Sequence, residues 1–465
     1  MVYYNIVYKT KHRRKKHKMS ADKTKKMDRI NIGNGIYINF VESDKFKTNF
    51  IDIDIISRLE TDVKASKNAL LSKVLMRGSK NFPTLADISR HLNYLYAAKI
   101  GCWVNKFGEA QVLMLTAEML DNKYSLDGTD ILDEVINMLG DIFTNPLIEN
   151  NGFKNDYVET EKTNLINEIL AQINNKSSYV YKKCVEKMCA GERFAIDNAG
   201  STDSVKSIDG KSLYEHYNYI LSNCAVEIFC VGKFNDKKDY IINKFKTMLK
   251  NIKRVNSDNI EKYDTDVILS AEFKGETVEE MEISQGKLAM GFRIGRSNKN
   301  QDFANFIIFD TIYASTPTGK LFQNVREKLS LCYYCQTAVE AAKGVMTVLC
   351  GIEPDNKQKA MDEILKQLEE MKNGNFSDKD IEIAKLTDIN SYKGIYDNAG
   401  GIVNWYRRRL LSGAIKTPEE SIEAIKKVNR EDIIEAAKKL TLDSIYFLKG
   451  VSTGENDDNE SEENQ

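Results

Sequence analysis

FKNDYVETEKTNLINEIL, from Phe153 to Leu170, is answered later in the chain by FSDKDIEIAKLTDINSYK, from Phe376 to Lys393. The first copy runs on to KKCVEKMCAG, ending at Gly191, and the second to RRRLLSG, ending at Gly413. Each copy follows an amphipathic helix. Ile131, Leu132, Val135, Leu139 and Ile142 make the apolar stripe of one, and Met361, Ile364, Leu365 and Leu368 that of the other. Each copy is followed by a turn, another helix and a strand ending in glycine, Ala225 to Gly232 and Ile445 to Gly450. Upstream, VLMLTAEML at Val112 and VMTVLCGIE at Val345 read as apolar strands. The same order of elements thus recurs about 220 residues apart, which marks an internal duplication. Strands joined by hairpins, with helices grouped between them, predict an α+β chain in which each half is an antiparallel-rich sheet with helices on one face.

Working outward, the first half is expected over 27–250, a polar linker over 251–266 and the second half over 267–452. Residues 1–26 hold a dense basic run, Lys11 to Lys18, expected to be solvated and disordered. Met19 or Met27 are alternative starts. Residues 453–465 form an acidic tail expected to be disordered. No aromatic residues are interleaved with the basic run to stack on bases, and the net charge is −1, so nucleic acid is not an expected partner. No apolar run approaches the roughly 18 residues of a membrane span. The apolar residues at the N-terminus precede the basic cluster, the reverse of a secretory leader. Eight cysteines scattered through 465 residues suggest reduced thiols and a cytoplasmic setting. Cys332 and Cys335, three apart on a strand, should face opposite sides of the pleat, which leaves them no redox or zinc role.

GKLFQNVREKLSLCYY, from Gly319 to Tyr334, reads as a helix running into a strand. Thr316 and Pro317 fit the N-cap and first helical position. Leu321, Phe322, Val325 and Leu329 make the buried stripe, and Ser330-Leu331 breaks the period. Arg326 stands near the helix end and Tyr333 at the start of the strand. A guanidinium and a phenol on such a bend can point at one spot and hold a peptide carbonyl or its oxyanion. The same spacing also suits a surface arginine and a packed strand tyrosine.

VREKLSLCYY resembles the Arg-x6-Tyr motif in the C-terminal half of the insulinase/pitrilysin zinc metallopeptidase family. SQGKLAMGFR, from Ser284 to Arg293, resembles the strand that opens that half in bacterial members. The resemblance runs from about Met27 to Gly450. It implies two homologous α/β halves facing each other as a clamshell, with Arg326 and Tyr333 as the carbonyl-binding pair.

Active members carry His-x-x-Glu-His on a helix of the first half. Imidazoles at i and i+4 share a face and bind zinc, and the glutamate activates water. Aligning Arg77-Gly78-Ser79 with the segment after that motif places Ala69, Ser72 and Lys73 at its three positions. Ala69 has no donor atom, Ser72 cannot act as the base, and Lys73 brings a positive charge where the cation should sit. The chain has four histidines: His12 and His17 lie in the basic tail, and neither His91 nor His216 has a partner at i+3, i+4 or i+5. Glu168 matches the family's third ligand and Glu161 its accessory carboxylate. Seven residues are close to two turns, so both lie on one face, and a plain charged helix face has the same pattern. Cys102-Trp103-Val104-Asn105 departs from the family's substrate-edge strand, lacking Asn-Ala.

The resemblance therefore implies a degenerate metallopeptidase homologue with no metal or other cofactor, inactive alone. As the non-catalytic subunit of a heteromeric zinc-dependent peptidase, it would give Arg326 and Tyr333 to a zinc-bearing partner of the same family, in a heterodimer acting on a peptide substrate. The alternative is a scaffold or assembly protein of the same fold without peptide chemistry. The non-catalytic bacterial members it resembles are associated with modification of elongation factor P, for which no residue here argues. If zinc is replaced, the Lys73 ammonium should reach Glu168 or Glu161. If not, Lys73 should point to solvent.

Overall fold

The structure is a computed structural model and describes residues 26–234 and 236–451. The basic run at 11–18 and the acidic tail at 453–465 lie outside the described residues.

Three strands open the chain: β1 (Asp28–Gly33), β2 (Ile36–Glu42) and β3 (Thr48–Arg58). Helices α1 (Asp62–Leu75) and α2 (Leu85–Tyr94) follow, then the hairpin of β4 (Lys99–Phe107) and β5 (Ala110–Leu120). After α3 (Ile131–Thr144), the short pair β6 (Ile148–Glu149) and β7 (Gly152–Phe153) leads into α4 (Asn155–Ala171) and α5 (Lys176–Met188). Next come α6 (Thr202–Lys206), α7 (Gly210–Asn223), β8 (Ala225–Gly232) and α8 (Lys238–Leu249). Residues 251–275 contain a single 3-10 turn, Ser257–Asn259.

Beyond them lie β9 (Glu276–Met281), β10 (Gly286–Arg293), α9 (Phe303–Asp310), β11 (Cys332–Glu340) and β12 (Val345–Ile352). Helices α10 (Lys357–Lys372), α11 (Asp378–Gly394), α12 (Ala399–Leu411), α13 (Pro418–Lys427) and α14 (Arg430–Lys438) precede β13 (Thr441–Gly450).

The duplication is visible strand by strand. One sheet has the order β1-β2-β8-β3-β5-β4, and the other, read from its far edge, β9-β13-β10-β12-β11. From β2 onward the two orders correspond. The sense of pairing corresponds as well: β2 with β8 and β9 with β13 are parallel, and the remaining neighbours are antiparallel. In each half the grouped helices cover one face. Ile51, Ile53 and Ile55 of β3 pack there with Leu70 and Leu71 of α1 and Leu139 of α3. Leu288 and Met290 of β10 pack with Ile364 of α10 in the second half.

The other face of each sheet is covered too, by one helix from the opposite half. Ile402, Val403 and Tyr406 of α12 are buried against Val41, Val112 and Phe229 of the first sheet. Val180 and Cys184 of α5 are buried against Ala289, Tyr446 and Leu448 of the second. Gly291 permits this approach, since a Cβ there would stand 2.9 Å from the Met188 sulfur. Buried ion pairs fix both exchanges. Arg407 of α12 bonds Asp54 at 2.6 Å and also Asp52. Burial raises both carboxyl groups' pKa, and Arg407 opposes it. Arg293 of β10 joins Asp443 at 2.8 Å and Glu192 at 2.5 Å, while Lys343 joins Glu109 at 2.6 Å and Glu192 at 2.7 Å. Charges so fully desolvated persist because each carboxylate meets a cation.

Candidate functional site

Thr61 caps α1, its side chain accepting from the Lys64 N–H, and the helix buries nine of its residues, from Ala65 to Leu75. One side packs on α4. Ala69 is buried in that packing and offers only a methyl group. Ser72 is buried too, and its Oγ donates back to the Ala69 carbonyl at 2.8 Å. Lys73, in the last turn, crosses to α4: its Nζ lies 2.7 Å from Glu168 Oε1. Arg77, just beyond the helix, pairs with Glu161, which is buried and also accepts from Asn164 Nδ2 at 3.1 Å.

Glu161 and Glu168 of α4 are thus neutralised from the C-terminal end of α1 and the residue just beyond it, by cations four residues apart. Sequence reasoning reached Lys73 and missed Arg77. The signal was present, a basic pair at i and i+4 facing an acidic pair at i and i+7. This donor set does not fit zinc. It has no imidazole and no free carboxylate, and an ammonium is aimed at the ligand position. Among the described residues no group of three or more His, Cys, Asp or Glu side chains is arranged to hold a metal ion. Neither described histidine approaches the site as a ligand. His216 is buried with Nε2 2.8 Å from Asn68 Oδ1, and burial pushes its pKa down to about 3, so the ring is neutral. His91 stands 3.5 Å from Glu134.

In the second half, the segment around Arg326 departs from the expected helix. Thr316 is extended, and its carbonyl accepts from the Gly319 N–H at 2.9 Å, so Thr316 and Pro317 belong to a turn rather than to a helix start. The helix that follows has i→i+5 geometry over Phe322–Lys328. That wider turn breaks the 3.6-residue period. Leu321 and Val325 are buried as expected, but Leu329 is rotated out to solvent. Ser330, at φ 51°, ends the helix in the left-handed region.

β11 then enters its sheet through a bulge. Cys332 pairs with Ile352, Tyr334 with Gly351 and Cys335 with Cys350, which leaves Tyr333 as the extra residue. Tyr333 is therefore turned outward and is 61% exposed. Arg326 lies over the Phe322 ring, 4.6 Å from its centroid, and its Nε is 3.6 Å from Glu327. Arg326 and Tyr333 line one cavity of about 390 Å³ with Glu327, Ser330, Leu331, Cys332 and Glu353. The phenol O–H donates to Glu353 Oε1 at 2.9 Å, and that bond raises the Tyr333 pKa.

The structure brings Arg326 and Tyr333 together, and Lys73 with Glu168. None of Ala69, Ser72, Lys73, Glu161 and Glu168 lines the Arg326 cavity. Glu353, which holds the phenol, was not foreseen. The bulge also corrects the expectation for the two cysteines: one extra residue returns Cys332 to the face that carries Cys335.

Over 419 residues, 90% of this chain and 96% of the relative, the sequence is 30% identical to the "Probable inactive metalloprotease YmfF" of Bacillus subtilis (strain 168). The chain belongs to the M16 peptidase family. The description "Peptidase M16 inactive domain" matches residues 207–387, a span that contains Arg326 and Tyr333. A conserved protein from Enterococcus faecalis V583 superposes with a TM-score of 0.84 at 26% identity, over 93% of this chain and all of that one. The peptidase M16 inactive domain from Pseudomonas fluorescens shares the fold, with a TM-score of 0.74 at 13% identity over 91% of this chain and 98% of that one. This M16 chain is a non-catalytic peptidase homologue.

Proposed function

We propose that the chain is the non-catalytic subunit of a heteromeric zinc-dependent peptidase, in which a zinc-bearing M16 subunit forms a heterodimer with it in the cytoplasm. The observation that supports this reading is the contrast between the two halves. Where the family alignment puts the zinc site, the Lys73–Glu168 and Arg77–Glu161 ion pairs join α1 and the residue just beyond it to α4. Arg326 and Tyr333 stay together in a solvent-facing cavity, with the tyrosine placed outward by a bulge. In the complex Arg326 supplies positive charge and N–H donors, and Tyr333 an O–H, to the carbonyl oxygen of a peptide polarised at the partner's metal. Glu353 holds the phenol in position until the carbonyl replaces it as acceptor.

A second reading is an assembly protein of the same fold without peptide chemistry, for which elongation factor P modification is the setting that resemblance suggests. It is favoured by one observation: the Tyr333 donor is already engaged by Glu353. Reconstitution with the zinc-bearing M16 subunit of the same organism separates the two. Tyr333→Phe should lower peptide turnover of the pair by about 10²–10³, the usual loss for one oxyanion donor, with no change in melting temperature. Equal turnover with tyrosine and phenylalanine would favour the assembly role.

A further inference from the structure

The bulge at Tyr333 has a second effect. It places three thiols on one face of the second sheet, beneath the Arg326 cavity. Cys335 and Cys350 are direct cross-strand partners, with sulfurs 2.9 Å apart. The bulge returns Cys332 to the same face, beside Cys335. All eight cysteines are free thiols, and these three differ in access. All three belong to the buried core, at 8%, 4% and 1% exposure for Cys332, Cys335 and Cys350, and of the three only Cys332 lines the cavity beside Arg326 and Tyr333.

We propose that Cys332 is a peroxide-reactive thiol, and that Cys335 and Cys350 resolve its oxidation into a cross-strand disulfide. The oxidant is a hydroperoxide small enough for the cavity. The Cys332 thiolate attacks its terminal oxygen, the O–O bond breaks, and the leaving oxygen takes up a proton, which gives a sulfenic acid and an alcohol or water. The Cys335 sulfur then attacks Cys332, and the S–O bond breaks. Water leaves with the Cys335 proton, and a Cys332–Cys335 disulfide remains. The Cys350 thiol attacks the Cys335 sulfur in turn and expels Cys332 as a thiolate. Net, two thiols and one hydroperoxide become the Cys335–Cys350 disulfide, an alcohol and water, with Cys332 regenerated.

Three features support the assignment of roles. Cys332 is the member that reaches the cavity. The neighbouring thiols and the Arg326 positive charge hold its pKa below the ordinary thiol value, which favours the thiolate. Cys335 and Cys350 are shifted the other way, so they hold their protons and act as donors and resolving thiols. Burial pushes up the pKa of the other five cysteines, Cys102, Cys184, Cys189, Cys224 and Cys230, of which Cys102 alone is partly exposed.

The test uses the intact reduced chain and equimolar hydrogen peroxide, followed by denaturing alkylation and mass spectrometry. Wild type should lose two hydrogen masses, keep six of its eight cysteines alkylatable, and yield a linked Cys335–Cys350 peptide pair. Cys332→Ser should form that link at least about tenfold more slowly, because a buried thiol is a poor nucleophile. Cys335→Ser should leave a sulfenic acid on Cys332 that dimedone captures. A second readout needs no substitution: brief iodoacetamide treatment of native wild type should label Cys332 before any other cysteine. Equal oxidation rates in wild type and Cys332→Ser, or first labelling at another cysteine, would overturn the proposal.

Discussion

Replacing Arg77 with methionine should destabilise the first half much more than replacing Lys73. The Glu161 side chain is only 10% exposed and its Arg77 partner 24%, whereas Glu168 is 58% exposed and Lys73 26%. Without Arg77, a largely buried carboxylate keeps one neutral donor, Asn164. Losing a charged hydrogen bond at such a site costs about 2–3 kcal/mol, short of the figure for a fully buried charge because Glu161 retains some solvent. For a half of this size that corresponds to a fall of about 5–10 °C in melting temperature. Lys73→Met breaks a pair whose carboxylate is mostly in water and should cost about 0–1 kcal/mol. Scanning calorimetry of the two variants measures both, and a cycle identifies the partner. Adding Glu161→Gln to Arg77→Met should recover most of the loss, with a coupling of about 1 kcal/mol or more. A shift within about 1 °C for Arg77→Met, or an equal loss in Lys73→Met, would refute the reasoning, since measurement would then contradict the burial that sets the two apart.

Arg407→Met removes the cation that fixes α12 on the first sheet and leaves Asp52 and Asp54 as adjacent buried carboxylates. Thermal unfolding should show a loss of about 3–5 kcal/mol, largely restored when both aspartates become asparagine. A pH effect should trace to Asp388. Burial, reinforced by the nearby Asp310 charge, holds its pKa up at about 7, while an unfolded aspartate titrates near about 4. The stability this carboxyl contributes is complete below the lower value and is lost as pH rises through the upper one. Asp388→Asn should therefore gain melting temperature relative to wild type between pH 5 and pH 8, and a difference that stays flat across that range would contradict it.

The duplication and the recurring order of strands and helices were legible because they rest on local periodicity repeated twice, whereas the pairing of α1 with α4 came from the family resemblance. The exchanged helices were not. Ile51-Asp52-Ile53-Asp54-Ile55 alternates as a half-solvated strand does, yet both aspartates are buried because Arg407 arrives from 353 residues away to meet Asp54. No pattern within a strand encodes a cation supplied by the other half. The α1–α4 contact was half legible: Lys73 fell on an aligned position, while Arg77 had served only to anchor the alignment. At the Arg326 segment, periodicity failed for two local reasons. An i→i+5 helix moves Leu329 off the buried stripe, and a one-residue bulge reverses the face of everything before it on β11. Strict alternation separated Cys332 from Cys335 because a bulge leaves no mark in composition.

Metal stoichiometry of the purified chain tests the central claim most directly. After exposure to zinc and exhaustive dialysis, elemental analysis should find well below one zinc per chain, and the chain alone should show no chelator-sensitive peptide hydrolysis. Lys73 and Arg77 already neutralise Glu168 and Glu161, the carboxylates that the proposed alignment matches to the family's metal site. One tightly held zinc per chain, with peptidase activity that a chelator abolishes, would contradict the account.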